Sequence, residues 1–244
     1  MPAPWEGWWD EMFASPAWQA VQLAWEDAED ADDQVDRVER ALRLEPGMHV
    51  LDVPCGTGRI ARRLAARGYT VVGVDLTERF LEEGRARGGG VRYVHGDMRD
   101  LPLRPVFDAA VCLWGSFAYF DDEGNLAQAA SVARALRPGG RFLVDALSHD
   151  AIEIGFRERD AYVVGDTAVE ERRVWNGAEG RIDTTWTFER AGERTVLGSS
   201  MRLYTLDELT DLLARAGFRS FEARDDALDP FEPAATRLWL LATV

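Results

Sequence analysis

The sequence predicts an α/β protein: a mainly parallel sheet flanked by helices, preceded by a helical segment and interrupted late by antiparallel β structure. Three observations predict it. Short apolar strands alternate with helical patterns from Val50 to Asp145, which implies right-handed crossovers and a parallel sheet. Residues 157–203 instead show alternating, β-rich stretches separated by Asn176-Gly177 and Ala191-Gly192, the signals of hairpin turns. Residues 5–25 hold five of the nine tryptophans, and Trp5, Trp8, Trp9, Met12 and Phe13 share one helical face until Pro16 interrupts and restarts the pattern.

Taken in order, a helix is expected from Asp33 to Leu44, ended by the turn Glu45-Pro46-Gly47. Val50 to Val53 read as the first core strand and Arg59 to Ala66 as the helix after it. Between them, Gly56 and Gly58 permit a tight turn and the approach of a ligand to the backbone. The first N–H groups of the helix have no partner within it and offer donors to a polar ligand, while Asp52 adds a carboxylate beside them. The second strand, Thr70 to Val74, ends in Asp75, 19 residues after Gly56, where an acid can accept hydrogen bonds from both ribose hydroxyls of an adenosine. The third, Val91 to Val94, precedes Gly96-Asp97-Met98. The fourth, Phe107 to Leu113, runs into Trp114-Gly115-Ser116-Phe117, and the fifth, Arg141 to Asp145, follows Leu136-Arg137-Pro138-Gly139-Gly140.

The inserted strands are expected at Ala161 to Val164, Val169 to Trp175, Ile182 to Phe188 and Thr195 to Leu203. Thr205 and Glu208 fit a capping box, whose helix runs to about Ala216 and is ended by Gly217. Phe218 to Ala223 and Arg237 to Thr243 are the last two strands.

This ladder of motifs resembles the class I S-adenosylmethionine (SAM) dependent methyltransferases over roughly residues 45–147. Asp52-x-x-Cys55-Gly56-Thr57-Gly58 is similar to that family's first motif, Asp75 to its ribose-binding acid, and Gly96-Asp97-Met98 to the segment flanking adenine. The resemblance implies a Rossmann-like seven-stranded sheet of order 3-2-1-4-5-7-6 with the last strand antiparallel; residues 1–44, outside the match, would be lid helices as in related enzymes or helices packed on the core. The SAM-binding core would be 45–147 and 204–244, with an antiparallel β region inserted at 148–203.

It also implies the site. Gly56 and Gly58 would admit the methionine end of SAM, with loop N–H groups near its carboxylate; Asp52, Cys55, Thr57 and Arg59 would join them in the cofactor site, and Asp75 would hold the ribose. Leu76 and Met98 would sandwich the adenine, and Asp97 would bond its amino group. Leu113 and Trp114 would supply backbone near the methionine. Methyl transfer from a sulfonium needs mainly in-line positioning of an unprotonated acceptor, so few catalytic residues are expected. Tyr119 is a candidate for orienting the acceptor, and His149 for general base toward a hydroxyl; packing roles are the alternative for both.

The net charge of −15 argues against nucleic acid, as does the absence of an Asn/Asp-Pro-Pro-aromatic motif after the fourth strand. A small-molecule amine or hydroxyl is the expected acceptor. Six of the eight residues from Glu26 to Asp33 are acidic, either a solvated connection or an attraction for a cationic amine. All 28 basic residues are arginine, which rules out the Tyr-x-x-x-Lys pair of a short-chain dehydrogenase, although Gly56-x-Gly58-x-x-Ala61 also fits a dinucleotide fingerprint. A non-catalytic SAM-binding interaction module stays open as the alternative.

Two cysteines, Cys55 and Cys112, give no disulfide framework, and His49, His95 and His149 form no metal pattern. No run of eighteen apolar residues spans a membrane, and the start of the chain lacks the pattern of a signal peptide, so a cytoplasmic location is expected. By the resemblance, the inserted β region would cover the acceptor pocket or pair subunits in a homodimer.

Overall fold

The computed structural model describes residues 7–28 and 31–244, leaving aside the side chains of residues 27 and 28. Trp5 and most of the acidic run between Glu26 and Asp32 therefore lie outside the described residues and side chains.

Two helices come first among the described residues, α1 (Trp8–Ala14) and α2 (Pro16–Ala28), with Pro16 at the first position of the second, where a missing N–H costs nothing. The helix α3 (Asp32–Leu42) buries Val35, Val38 and Leu42 and ends in Arg43 at a left-handed φ of 48°. The core then alternates as expected: β1 (His49–Asp52), α4 (Arg59–Ala66), β2 (Thr70–Asp75), α5 (Glu78–Arg87), β3 (Arg92–His95), β4 (Phe107–Cys112), α6 (Asp122–Ala135) and β5 (Leu136–Leu147).

A short helix, α7 (His149–Gly155), follows; the Ser148 hydroxyl caps it by accepting from the Ala151 amide. It is absent from the sequence expectation, which reads the region as the start of the insertion. Four long strands form that insertion: β6 (Arg159–Val164), β7 (Thr167–Asn176), β8 (Arg181–Arg190) and β9 (Glu193–Arg202). The chain closes with α8 (Leu206–Ala216), β10 (Ser220–Arg224) and β11 (Arg237–Thr243). Both halves of the capping box between Thr205 and Glu208 are present, and Gly217 ends α8 with φ 113°.

The main sheet has the order β10-β11-β5-β4-β1-β2-β3, with β11 antiparallel to both β5 and β10. Its five parallel strands carry an apolar core on both faces, one side under α6 and α8 and the other under α3 and α4. β5 begins earlier than the sequence suggests. Leu136 pairs with Phe107 and Arg141 with Ala109, so the Pro138-Gly139-Gly140 turn is absorbed as a bulge within the strand.

The second sheet is antiparallel throughout, in the order β6-β7-β8-β9. Its inner face buries Val164, Val169, Phe188 and Leu197 against Trp8, Met12 and Val21 of α1 and α2. The helices and the insertion, far apart in sequence, thus share one apolar core. Among the described residues no helix is long and apolar enough to cross a membrane.

Candidate active site

A cavity of about 830 Å³ opens at the carboxyl edge of the parallel strands. This is where ligands sit in open α/β sheets, because the chain reverses there and leaves a crevice between loops. Asp52 ends β1, Asp75 ends β2, and Asp97 and Leu113 follow β3 and β4; all four line the cavity. Gly56, Cys55, Arg59, Leu76, Met98, Trp114 and Tyr119 line it too. Thr57, Gly58 and His149 do not.

The glycine loop explains the split. Gly56 has a left-handed φ of 55°, donates its N–H to Asp75 Oδ2 at 2.8 Å, and stands where an added Cβ would meet Glu26 Oε1 at 3.7 Å. Gly58, at φ 78°, faces away, against the ring of Tyr93. Thr57 is fully buried between them: its hydroxyl donates to Glu26 Oε2, and its carbonyl accepts from the Tyr93 phenol at 3.1 Å and from Arg62. Cys55 packs onto Gly73 of β2, where a Cβ would fall 2.8 Å from the sulfur. Cys55 and Cys112 are both free thiols whose ionisation burial suppresses.

Three buried carboxylates converge on the cavity. Burial pushes Asp52 up to about 7, helped by repulsion from Asp75 and Glu26, and outweighs the hydrogen bond from the Ala61 amide. Burial also raises Asp75, despite hydrogen bonds from the Thr77 and Gly56 amides, and raises Glu26, despite the Thr57 hydroxyl. Each would ionise more readily beside a cation. Asp97 differs. Burial opposes its ionisation, but Arg99, which grips both oxygens at 2.6–3.1 Å, outweighs burial and holds the carboxyl below its usual range.

After β4 the backbone turns through Trp114 and Gly115 at φ 63° and 68°. Asp145 of β5 fixes that turn by accepting from the Trp114 amide at 2.9 Å, and Arg237 of β11 neutralises Asp145 at 2.5 Å. The Trp114 ring carries the Arg59 guanidinium at 4.5 Å, and Gln34 of α3 accepts from both side chains. Tyr119 lies edge-on to Trp8, with centroids 5.0 Å apart, and its hydroxyl is 3.3 Å from Ser116 Oγ. His149 starts α7, 3.0 Å from Asp150 and edge-on to Trp175, away from the cavity.

Known proteins agree with this geometry. Residues 50–140 match the family described as a methyltransferase domain. A dTDP-4-amino-2,3,4,6-tetradeoxy-D-glucose N,N-dimethyltransferase of Saccharopolyspora spinosa is 30% identical over 189 residues, 73% of this chain and 74% of that protein. The chain is a class I SAM-dependent methyltransferase. Two solved structures share the fold of this methyltransferase. A SAM-dependent methyltransferase of Clostridium acetobutylicum superposes with a TM-score of 0.75 at 19% identity, covering 89% of this chain and 93% of that one. A SAM-bound amino pentose methyltransferase of Micromonospora echinaspora, involved in calicheamicin biosynthesis, gives 0.68 at 23% identity, covering 94% and 98%.

SAM is the cofactor of the methyltransferase, and the cavity suits it: three buried carboxylates face a ligand that carries positive charge, beside a glycine that opens the backbone. Glu26 is the site residue that sequence reading missed, because it was absorbed into the acidic run. A signal existed. Trp18, Gln22, Trp25 and Glu26 follow the i, i+4, i+7, i+8 pattern of one helix face, and all four line the cavity.

Proposed function

We propose that this methyltransferase transfers the methyl group to a small-molecule amine or hydroxyl held under the tryptophan-bearing helices. One observation carries the reading: the carboxylate-lined crevice continues into an aromatic chamber formed by α1, α2 and the inserted sheet, with Trp8, Phe13, Trp18, Tyr119 and Trp186 on its walls. Such walls hold a planar or alkylammonium acceptor by apolar contact and cation–π attraction.

SAM supplies an electrophilic methyl carbon; the chain's own part is to bind, orient and exclude water. Asp75 is assigned to the ribose hydroxyls, since a carboxylate that already accepts two amide protons keeps lone pairs for more. Leu76 and Met98 are assigned to the adenine faces. Arg59, set on Trp114 and Gln34, is assigned to the carboxylate of the methionine end. Asp97 is assigned to the adenine amino group, with Arg99 keeping it ionised. Tyr119 orients the acceptor.

The relative from S. spinosa acts, by its name, on an amino sugar linked to a nucleotide. The amine is the part we carry over. Incubation with methyl-labelled SAM and a panel of aryl amines, alkyl amines and phenols tests the reading. Label in an amine or phenol supports it. SAM binding without transfer to any of them would favour a non-catalytic binding module.

A further inference from the structure

We propose that Glu26 binds the α-ammonium group of the cofactor's methionine moiety and thereby couples docking of α2 to cofactor binding. The inference rests on the placement of the methionine end at the glycine loop.

Position comes first. Glu26 belongs to the helix that carries Trp18 and Trp25, yet its side chain is only 8% exposed and lines the same cavity as Asp52, Gly56 and Asp75. One oxygen is taken by the Thr57 hydroxyl. The other, Oε1, stands 3.7 Å from the point where a Gly56 Cβ would be, on the cavity side of the loop.

Charge comes second. Among the described residues the hydrogen-bond partner of Glu26 is a neutral hydroxyl, and Arg87, Arg62 and Arg59 act on the carboxylate through coulombic attraction. A carboxylate taken out of water without a contacting cation is costly. An ammonium group at the loop would meet that need with charge-assisted hydrogen bonds. Packing of α2 is then most favourable when the cofactor is in place, and the same helix carries Trp18 and Trp25 on the cavity wall.

Calorimetry on the wild-type protein and Glu26→Gln tests this with three probes: SAM, S-adenosylhomocysteine and 5′-methylthioadenosine, which lacks the amino-acid end. Glu26→Gln should weaken SAM and S-adenosylhomocysteine alike by about 10- to 100-fold and leave methylthioadenosine unchanged. Equal loss for all three would overturn the proposal in favour of a structural role. Loss for SAM alone would overturn it in favour of a contact with the sulfonium. If wild-type protein held S-adenosylhomocysteine no more tightly than methylthioadenosine, the placement of the methionine end itself would fail.

Hydrogen exchange reads the coupling. S-adenosylhomocysteine should slow exchange across α2 in wild type and much less in Glu26→Gln at saturation; equal slowing would overturn the coupling. Should Glu26→Gln not fold, Thr57→Val, which frees the carboxylate from its anchor, is expected to show the same ordering of the three probes with a smaller loss. Uniform loss there would count against the proposal in the same way.

Discussion

Gly58 lies so close to Tyr93 that a Cβ on the glycine would fall 2.2 Å from the phenolic oxygen and 2.8 Å from Cε1. Gly84 of α5 makes room for the same ring, with a hypothetical Cβ 2.6 Å from Cζ. The phenol then reaches the Thr57 carbonyl and braces the loop from behind. The two glycines of the motif therefore do different work: Gly56 opens the backbone toward the cavity, and Gly58 admits Tyr93.

Gly58→Ala should accordingly lower stability by about 2–4 kcal/mol, since the methyl group meets both a left-handed backbone and an occupied space. Thermal melting measures it. Adding Tyr93→Phe should restore only part of the loss, because the ring carbons stay within 2.8–2.9 Å. A Gly58→Ala protein as stable as wild type would show that the ring moves aside freely.

Asp52 sets a pH dependence. Its carboxyl is raised from an ordinary value of 3.8 to about 7, chiefly by burial. Between those values the native protein holds a proton that the unfolded chain releases, so stability of the cofactor-free protein falls as pH rises through the window. Asp52→Asn, which cannot ionise, should raise the melting temperature more at pH 8 than at pH 5. SAM, which carries positive charge, favours the ionised form, so its affinity for wild type should climb from pH 6 to pH 8 and less steeply in Asp52→Asn. A wild-type affinity that is flat with pH would remove Asp52 from the charge balance of the site.

Three strands of the main sheet were legible from local signals: the apolar runs of β1 and β2 are closed by Asp52 and Asp75, that of β3 is followed by Gly96-Asp97, and β1 passes through a glycine turn into its helix. The order of the sheet and its reversed last strand followed from the family resemblance and are what the structure has. The lateral partners of the loop were not legible. That Gly58 serves Tyr93, and that Gly73 serves Cys55, depends on strands meeting in space, and a glycine looks the same in sequence whichever neighbour it admits. Glu26 was hidden differently, since an acidic run reads as solvated until packing shows one member turned inward. The helix α7 was short enough for its Ser148 cap to pass unnoticed.

Asp75 is the proposed link between the loop and the cofactor. It accepts the Gly56 amide through Oδ2 and the Thr77 amide through Oδ1, both at 2.8 Å, so the carboxylate is oriented before any ligand arrives. Asp75→Ala should weaken S-adenosylhomocysteine by roughly 1–3 kcal/mol, because ribose hydroxyls lose a charged acceptor. NADH should not bind either protein. Unchanged affinity in calorimetry of Asp75→Ala would take the residue out of the ribose site.

The roles of Tyr119 and His149 separate on their surroundings. Tyr119 lines the cavity, packs on Trp8 and Phe13, and places its hydroxyl near Ser116; burial pushes the phenol upward, so it stays neutral and can orient an acceptor without taking its proton. His149 is held by Asp150 and Trp175 outside the cavity lining. His149→Ala should then lower the methylation rate less than about tenfold, below the 10²–10⁴ of a dedicated general base. Tyr119→Ala should lower it more, and Tyr119→Phe, which keeps the ring, should fall between the two if the hydroxyl orients the acceptor. SAM affinity, measured alongside, separates lost orientation from a disturbed cofactor site. A collapse of several hundredfold in His149→Ala with SAM affinity intact would require α7 to swing His149 into the cavity, and a hydroxyl deprotonated by that imidazole would then be the better acceptor.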